Sequence, residues 1–115
     1  MSNGNQAMTE LLNKHCRELP AGTAALSADE IHRLIGALPS WKIIDGQLTK
    51  TFAFKNYYET MAFVNAIAWI SHRENHHPDL EVGYNKCVAK YSTHSVGGLS
   101  ENDFICAAKI EEFSA

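Results

Sequence analysis

The sequence predicts an α+β domain in which two β-hairpins merge into one four-stranded antiparallel sheet with helices packed on one face. Three observations lead to this prediction. Apolar residues recur at helical spacing behind capping residues, β-prone runs flank two turn sequences, and these patterns alternate along the chain. The predicted order is α-β-β-α-β-β-α, and 115 residues fit a single domain of this kind.

The first firm element is a helix that begins after Ser27. Ser27 has the side chain of a helix cap, and Glu30 stands three residues later, as in a capping box. Pro39 ends the pattern, because proline cannot continue a helix interior. The apolar face of this helix consists of Ile31, Leu34, Ile35 and Leu38.

A β-hairpin follows, with strands predicted at Trp41–Ile44 and Gln47–Phe54. Between them lies Asp45-Gly46, a pair typical of the two-residue type I′ turn. Lys50 interrupts the otherwise apolar face of the second strand, so the alternation is imperfect.

A long helix is predicted from the cap Asn56 to about Asn75. Pro78 ends it, since a residue before proline is disfavoured in the α region. Its wide apolar face predicts a helix that lies across the sheet. That face contains Met61, Val64, Ile67, Ala68 and Ser71, widened by Phe63 and Ile70.

The second hairpin is predicted at Glu81–Tyr84 and Lys86–Thr93. Ser100 then begins a final helix that runs to the C-terminus, with Asp103 at the capping-box position. Asp103 has two interpretations at this point, a helix cap and a support for a site, and both remain open.

The N-terminal part has a weaker pattern. We expect residues 1–25 to be a leader, partly disordered or forming a short helix over Met8–Leu19, and residues 26–115 to be the domain. The longest apolar stretch, Met61–Ile70, is about half of a membrane span.

Composition excludes several classes of function. A net charge of −3 and an isoelectric point near 6.0 give no reason to expect nucleic acid or an anionic membrane as a partner. Cys16, Cys87 and Cys106 form no CxxC pair, so neither a disulfide framework nor a zinc ribbon is indicated. Reduced thiols in the cytoplasm are the expected state.

Four of the six histidines lie close together in sequence, at His72, His76, His77 and His94. Histidine titrates near neutral pH, so the cluster indicates proton transfer or metal binding. A metal site from His72, His76 and His94 is one alternative, although Arg73 stands where the zinc-protease pattern requires glutamate. Alternatively, His72 is simply a surface residue near the end of a helix.

Several short motifs follow one another between residues 76 and 103. They are His76-His77-Pro78, Tyr84-Asn85-Lys86, Ser92-Thr93-His94, Gly98-Leu99-Ser100 and Asp103. Together they resemble the pterin-4a-carbinolamine dehydratase family over about Ser27 to Phe113. The resemblance implies the fold predicted above, a homodimer or homotetramer, and dehydration of 4a-hydroxytetrahydropterin in pterin recycling for aromatic amino acid hydroxylation. It implies neither a metal nor a cofactor.

The resemblance also implies roles for individual residues. His76 and His94 are expected as the acid–base pair, with acid and base not assigned, and His77 as a residue that orients the pterin or assists protonation. Asp103 is expected to support His94 or its loop. The remaining pterin contacts are expected from Pro78, Thr93, Ser95 and Val96.

One departure from the family pattern concerns the residues before this histidine pair. Many relatives carry glutamate where this chain has His72, and Glu74 lies two residues nearer to the pair. The competing interpretation is a pterin-binding, regulatory or dimerisation protein of the same fold with little turnover.

Overall fold

The computed structural model describes residues 3–114, which form four α-helices and four β-strands. A short 3₁₀ turn at His94–Val96 follows the last strand. The helices are α1 (Asn3–Leu12), α2 (Ala28–Ile35), α3 (Tyr57–Glu74) and α4 (Glu101–Ser114), and the strands are β1 (Lys42–Ile44), β2 (Gln47–Ala53), β3 (Asp79–Val82) and β4 (Lys86–Tyr91).

The strands form one antiparallel sheet in the order β1-β2-β4-β3, so the two hairpins meet along β2 and β4. One face of the sheet is buried beneath the helices, whereas Thr51 and Ala53 on the other face are exposed. This arrangement confirms the predicted α+β fold. The buried face includes Leu48, Phe52, Cys87, Ala89 and Tyr91.

The local signals behave as the sequence predicts. Ser27 Oγ accepts a hydrogen bond of 3.2 Å from the Glu30 N–H, and Asn56 Oδ1 accepts one of 2.9 Å from the Glu59 N–H. Asp45 and Gly46 both have positive φ, 51° and 76°, as a type I′ turn requires. Each of these features depends on residues close in sequence.

Lys50 interrupts the apolar face of β2 because α4 provides a partner for its charge. Its ammonium group pairs with the carboxylate of Glu111 and lies 4.6 Å from the centre of the Phe52 ring. The Trp41 indole N–H donates to the same carboxylate at 2.9 Å. A charged side chain is therefore accommodated at the edge of the core with its hydrogen bonds satisfied.

The buried face of α3 overlaps the predicted one and extends beyond it. Phe63 and Ile67 are buried as predicted, whereas Ala68 is exposed. Thr60 and Glu74, which are outside the predicted face, are also buried. Two of these buried residues are polar, so apolar periodicity alone does not locate this face. Thr60 is accommodated because its Oγ1 hydrogen-bonds the carbonyl of Tyr84 at 2.9 Å.

The strand β3 begins at Asp79, two residues before the predicted Glu81. Asp79 lies opposite Lys90 of β4 and Val82 lies opposite Cys87. Pairing with β4 decides this register, and a strand of four residues carries too little periodicity to show it.

The leader is docked on the domain. Helix α1 packs against α4 and α2, and Ala7 and Leu11 are buried. The helix ends at Leu12, before the predicted Leu19, because the backbone beyond it binds side chains of α3 and α4. The partial disorder expected within the leader falls partly outside the described residues.

None of the helices within residues 3–114 is long and apolar enough to cross a lipid bilayer.

Candidate active site

The position of His76 is determined by the way α3 ends. Asn75 has φ 52° and ψ 42°, the left-handed conformation that ends many helices, and its N–H donates to the carbonyl of Ser71. The His76 N–H bonds the same carbonyl at 3.2 Å. The helix therefore ends at Glu74, and Pro78 prevents it from continuing.

The His76 side chain meets a buried carboxylate at the start of α4. His76 Nε2 lies 2.6 Å from Oδ1 of Asp103, whose exposure is 0%. The other oxygen, Oδ2, accepts from the Ser100 N–H at 2.9 Å and from Thr93 Oγ1 at 2.8 Å. Asp103 therefore caps α4 and supports the site at the same time. Its histidine partner is His76, while it reaches the His94 loop through Thr93.

The hydrogen bonds of Asp103 are divided between its two oxygens. Oδ2 receives two donors, and Oδ1 is the oxygen that faces His76 Nε2. The Nδ1 atom of the same imidazole takes no part in this contact.

Tyr91 forms a wall behind His76. The two rings are stacked, with centroids 5.8 Å apart and planes 18° from parallel. Tyr91 is completely buried, and this burial raises the pKa of its phenol well above the usual range. The phenol stays neutral, so it restricts the position of the imidazole without adding charge.

A cavity of about 470 Å³ opens beside these groups. Among the predicted site residues, His76, His77, Thr93, His94 and Ser95 line it. Pro78 and Val96 are not part of this lining, and Pro78 instead faces a neighbouring depression beside α3.

The cavity also has wall residues that are not among the predicted contacts. They are Asn75, Asp79, Ser92 and Lys90. Asp79 and Lys90 are opposite each other in the β3–β4 register. This register places both residues at the cavity. A correct prediction of where β3 begins would therefore have identified them as wall residues.

The other two histidines of the cavity are exposed to solvent. His94 begins the 3₁₀ turn that Gly97 closes with φ 69°. The preceding residue, Thr93, donates its N–H to the Gly98 carbonyl at 2.8 Å, which fixes the base of this loop. Among the residues that the structure describes, His77 has one hydrogen-bond contact, a long one of 3.4 Å from Nδ1 to the carbonyl of Pro78. Their rings are less constrained than that of His76.

His72 and Glu74 both lie away from this cavity. His72 is exposed and stacks on Trp69 at 6.2 Å, in agreement with its interpretation as a surface residue. Glu74 is buried and binds the leader, accepting from the Cys16 N–H at 2.7 Å and contacting His15 Nδ1 at 2.9 Å. Burial alone would raise the pKa of Glu74, but these hydrogen bonds outweigh it and hold the pKa below its usual range.

The alternative of a metal site has no geometric support. Across residues 3–114, no three His, Cys, Asp or Glu side chains are grouped closely enough to bind a metal ion. His72, His76 and His94 in particular do not converge.

Comparisons with known proteins agree on one family. A model described as "Pterin 4 alpha carbinolamine dehydratase" matches residues 24–113. A Nitrosospira multiformis protein named "Putative pterin-4-alpha-carbinolamine dehydratase" is 57% identical over 102 residues, 89% of this chain and 90% of that protein.

Solved structures show the same relationship. A Brucella melitensis protein described as a transcriptional coactivator/pterin dehydratase is 28% identical with a TM-score of 0.74, over 79% of this chain and 99% of that one. A pterin dehydratase-like protein identified as a RuBisCO assembly factor is 26% identical with a TM-score of 0.57, over 66% of this chain and 90% of that one. The chain belongs to the pterin 4 alpha carbinolamine dehydratase family, whose enzymes are hydro-lyases.

Proposed function

We propose that the protein dehydrates 4a-hydroxytetrahydropterin to quinonoid dihydropterin and water by acid–base catalysis with histidines. The observation that carries this proposal is the hydrogen bond between His76 and the buried Asp103 at the wall of a cavity that also contains His77 and His94. The family relationship supports the same reaction.

The reaction needs two proton transfers and no change in oxidation state. A base takes the proton from N5, and the electron pair of that N–H bond forms the N5–C4a double bond. The C4a–O bond breaks, and the departing hydroxyl group takes a proton from an acid to become water. Two groups whose pKa values lie near neutral pH are suited to these tasks.

His76 is the base in this proposal. Its Nε2–H is engaged by Asp103, so the lone pair of Nδ1 is available for the N5 proton. The imidazolium that forms is stabilised by the buried carboxylate, which is already in place before the reaction. Asp103 therefore acts through His76 as a positioning residue.

His94 is the acid, and His77 binds and orients the pterin ring. Both lie on the exposed side of the cavity. An exposed imidazole regains a proton from water after each turnover, which a fully enclosed one does not do as easily. Ser95 and Thr93 line the same wall and restrict where the substrate can lie.

The proposed setting is pterin recycling in the cytoplasm, in support of aromatic amino acid hydroxylation. Free thiols at Cys16, Cys87 and Cys106 fit a reducing compartment. We further propose a homodimer or homotetramer, because Tyr58 and Trp69 on α3 are 82% and 61% exposed. Large exposed aromatic side chains are typical of interfaces.

The test is turnover of chemically generated 4a-hydroxytetrahydropterin, measured against its spontaneous dehydration. We expect His76→Ala and His94→Ala to reduce the enzymatic rate by about 10²–10⁴-fold, as loss of a general acid or base does. His32→Ala is the matched control, since His32 is an exposed histidine of α2 remote in sequence from the motifs. It should retain the full rate.

Two results would contradict the proposal. No acceleration by the wild-type protein would favour the binding or regulatory role, for which the assembly-factor relative and the exposed aromatic residues of α3 are the supporting observations. Full activity in both alanine variants would show that other groups transfer the protons.

A further inference from the structure

A second cavity adjoins the first at His76. Its volume is about 530 Å³, and it shares Asn75, His76, Thr93 and Ser95 with the first cavity. Its outer wall is residues 16–19 of the leader. The family match begins at residue 24, so this wall is built by a segment outside the matched region.

The leader is held at this wall by two buried side chains. Asn102, 7% exposed, contacts both backbone groups of Arg17: its Oδ1 accepts from the Arg17 N–H at 3.2 Å, and its Nδ2 donates to the Arg17 carbonyl at 2.9 Å. Glu74 accepts from the Cys16 N–H at 2.7 Å. Because these bonds involve the backbone, residue 17 is fixed in place whatever its side chain.

The covalent structure of a pterin connects the two cavities. C6, which carries the substituent of natural pterins, is bonded directly to N5, the atom that His76 deprotonates in the proposed reaction. A ring that places N5 against His76 therefore places the C6 substituent at the wall that the cavities share. The histidine cavity holds the ring, and the second cavity is the adjoining space for the substituent.

The second cavity contains guanidinium groups that can bind a substituent. Arg17 and Arg73 line it, together with the carboxylates of Glu18 and Glu74. Both oxygens of Glu74 are occupied by the leader backbone and His15, and the Arg73 guanidinium lies 5.9 Å from the centre of the Trp69 ring, so Arg17 is the cation we consider for binding. Guanidinium groups are well suited to bind carboxylate or phosphate in a planar, two-bond geometry.

We propose that the leader forms a subsite for the C6 substituent and that Arg17 makes it favour an anionic one, a carboxylate or a phosphate. This inference rests on the proposed function, because it takes N5 to lie at His76. Arg17 is a specificity residue in this account and takes no part in the proton transfers.

The test is binding of two fluorescent pterins, pterin-6-carboxylate and 6-methylpterin, followed by titration of their fluorescence. We expect Arg17→Ala to weaken binding of pterin-6-carboxylate at least fivefold, and Arg17→Glu to weaken it further. Binding of 6-methylpterin should change less than twofold, because both variants keep the backbone bonds that dock the leader. Arg33→Ala removes an exposed arginine from α2 and should leave both affinities unchanged.

The outcomes separate this inference from the proposed function. Equal weakening of both ligands, or no weakening of either, would overturn the subsite while leaving a pterin site in place. Failure of the wild-type protein to bind either pterin would overturn the subsite and the proposed function together. Normal turnover of a 6-methyl substrate by Arg17→Glu would support the assignment of Arg17 to the substituent alone.

Discussion

The two sides of the histidine cavity are built in different ways. On one side, His76 is hydrogen-bonded to a buried carboxylate, stacked on a buried tyrosine and backed by the docked leader. On the other, His77 and His94 are exposed on short loops. The contacts on the supported side orient His76 before substrate binds, whereas the histidines on the open side are accessible to water. In the proposed mechanism, proton acceptance and proton supply are therefore assigned to groups with opposite surroundings.

Asp103→Asn is expected to have the largest effect on turnover, because it changes the group that supports His76. The substituted side chain would have one amide nitrogen in place of an acceptor oxygen. If that nitrogen faces His76, Nε2 becomes an acceptor and the proton moves to Nδ1, so the base loses its free lone pair. We expect turnover to fall by about 10²–10⁴-fold, because acid–base catalysis on this side is lost.

The same variant should be less stable by about 1–3 kcal/mol, because a neutral amide replaces the carboxyl group that bonds Ser100, Thr93 and His76, and hydrogen bonds to charged groups are the stronger ones. Nitrogen NMR of the imidazole distinguishes the two tautomers, and urea unfolding measures the stability. Asp29→Asn is the control, since Asp29 also lies in the first turn of a helix but is exposed. Retention of the Nε2–H tautomer in Asp103→Asn, with normal turnover, would refute the proposed support of His76.

The supported side was the harder of the two to predict from sequence. The Asp45-Gly46 turn and the caps Ser27 and Asn56 were predicted correctly because each depends on a few neighbouring residues. The pairing of Asp103 with His76 joins residues 27 positions apart, and the helix packing that creates it leaves no periodic signal.

The leader shows the same limit more clearly. Glu74 contacts His15 and Cys16, which are 59 and 58 positions away in the sequence. The local sequence at the end of an amphipathic helix does not distinguish a buried glutamate from an exposed one. The register of β3 was likewise decided by its partner strand. Local chemistry was therefore predictable, and long-range polar contacts were not.

Glu74→Gln sharpens the comparison by loosening the leader behind His76. The docked leader binds the carboxylate form, so folding lowers the pKa of Glu74 and its contribution to stability is present above the unfolded pKa, about 4.3. That contribution is lost as the pH falls below this value. We expect Glu74→Gln to lower the free energy of unfolding by about 1–3 kcal/mol at pH 7.

Urea unfolding at pH 7 and near pH 3 measures the loss of stability and its dependence on pH. The difference between wild type and Glu74→Gln should shrink at the lower pH, where the wild-type carboxyl group is increasingly protonated. Glu112→Gln, an exposed change on α4, should leave the wild-type pH dependence intact. An unchanged pH dependence in Glu74→Gln would show that other carboxylates dominate acid unfolding.

Substitutions of His72 are expected to have the smallest effect on turnover, and they test whether the site extends onto α3. Its ring is exposed and stacked on Trp69, outside the histidine cavity. His72→Ala should therefore change turnover less than twofold and stability by at most about 0.5 kcal/mol, as is usual for surface substitutions. His72→Glu, which places a carboxylate at the position where the family resemblance implies one, should have an equally small effect on turnover in this chain. A several-fold gain in His72→Glu would instead show that a charge at this position acts on His77, and the open side of the cavity would then extend onto α3.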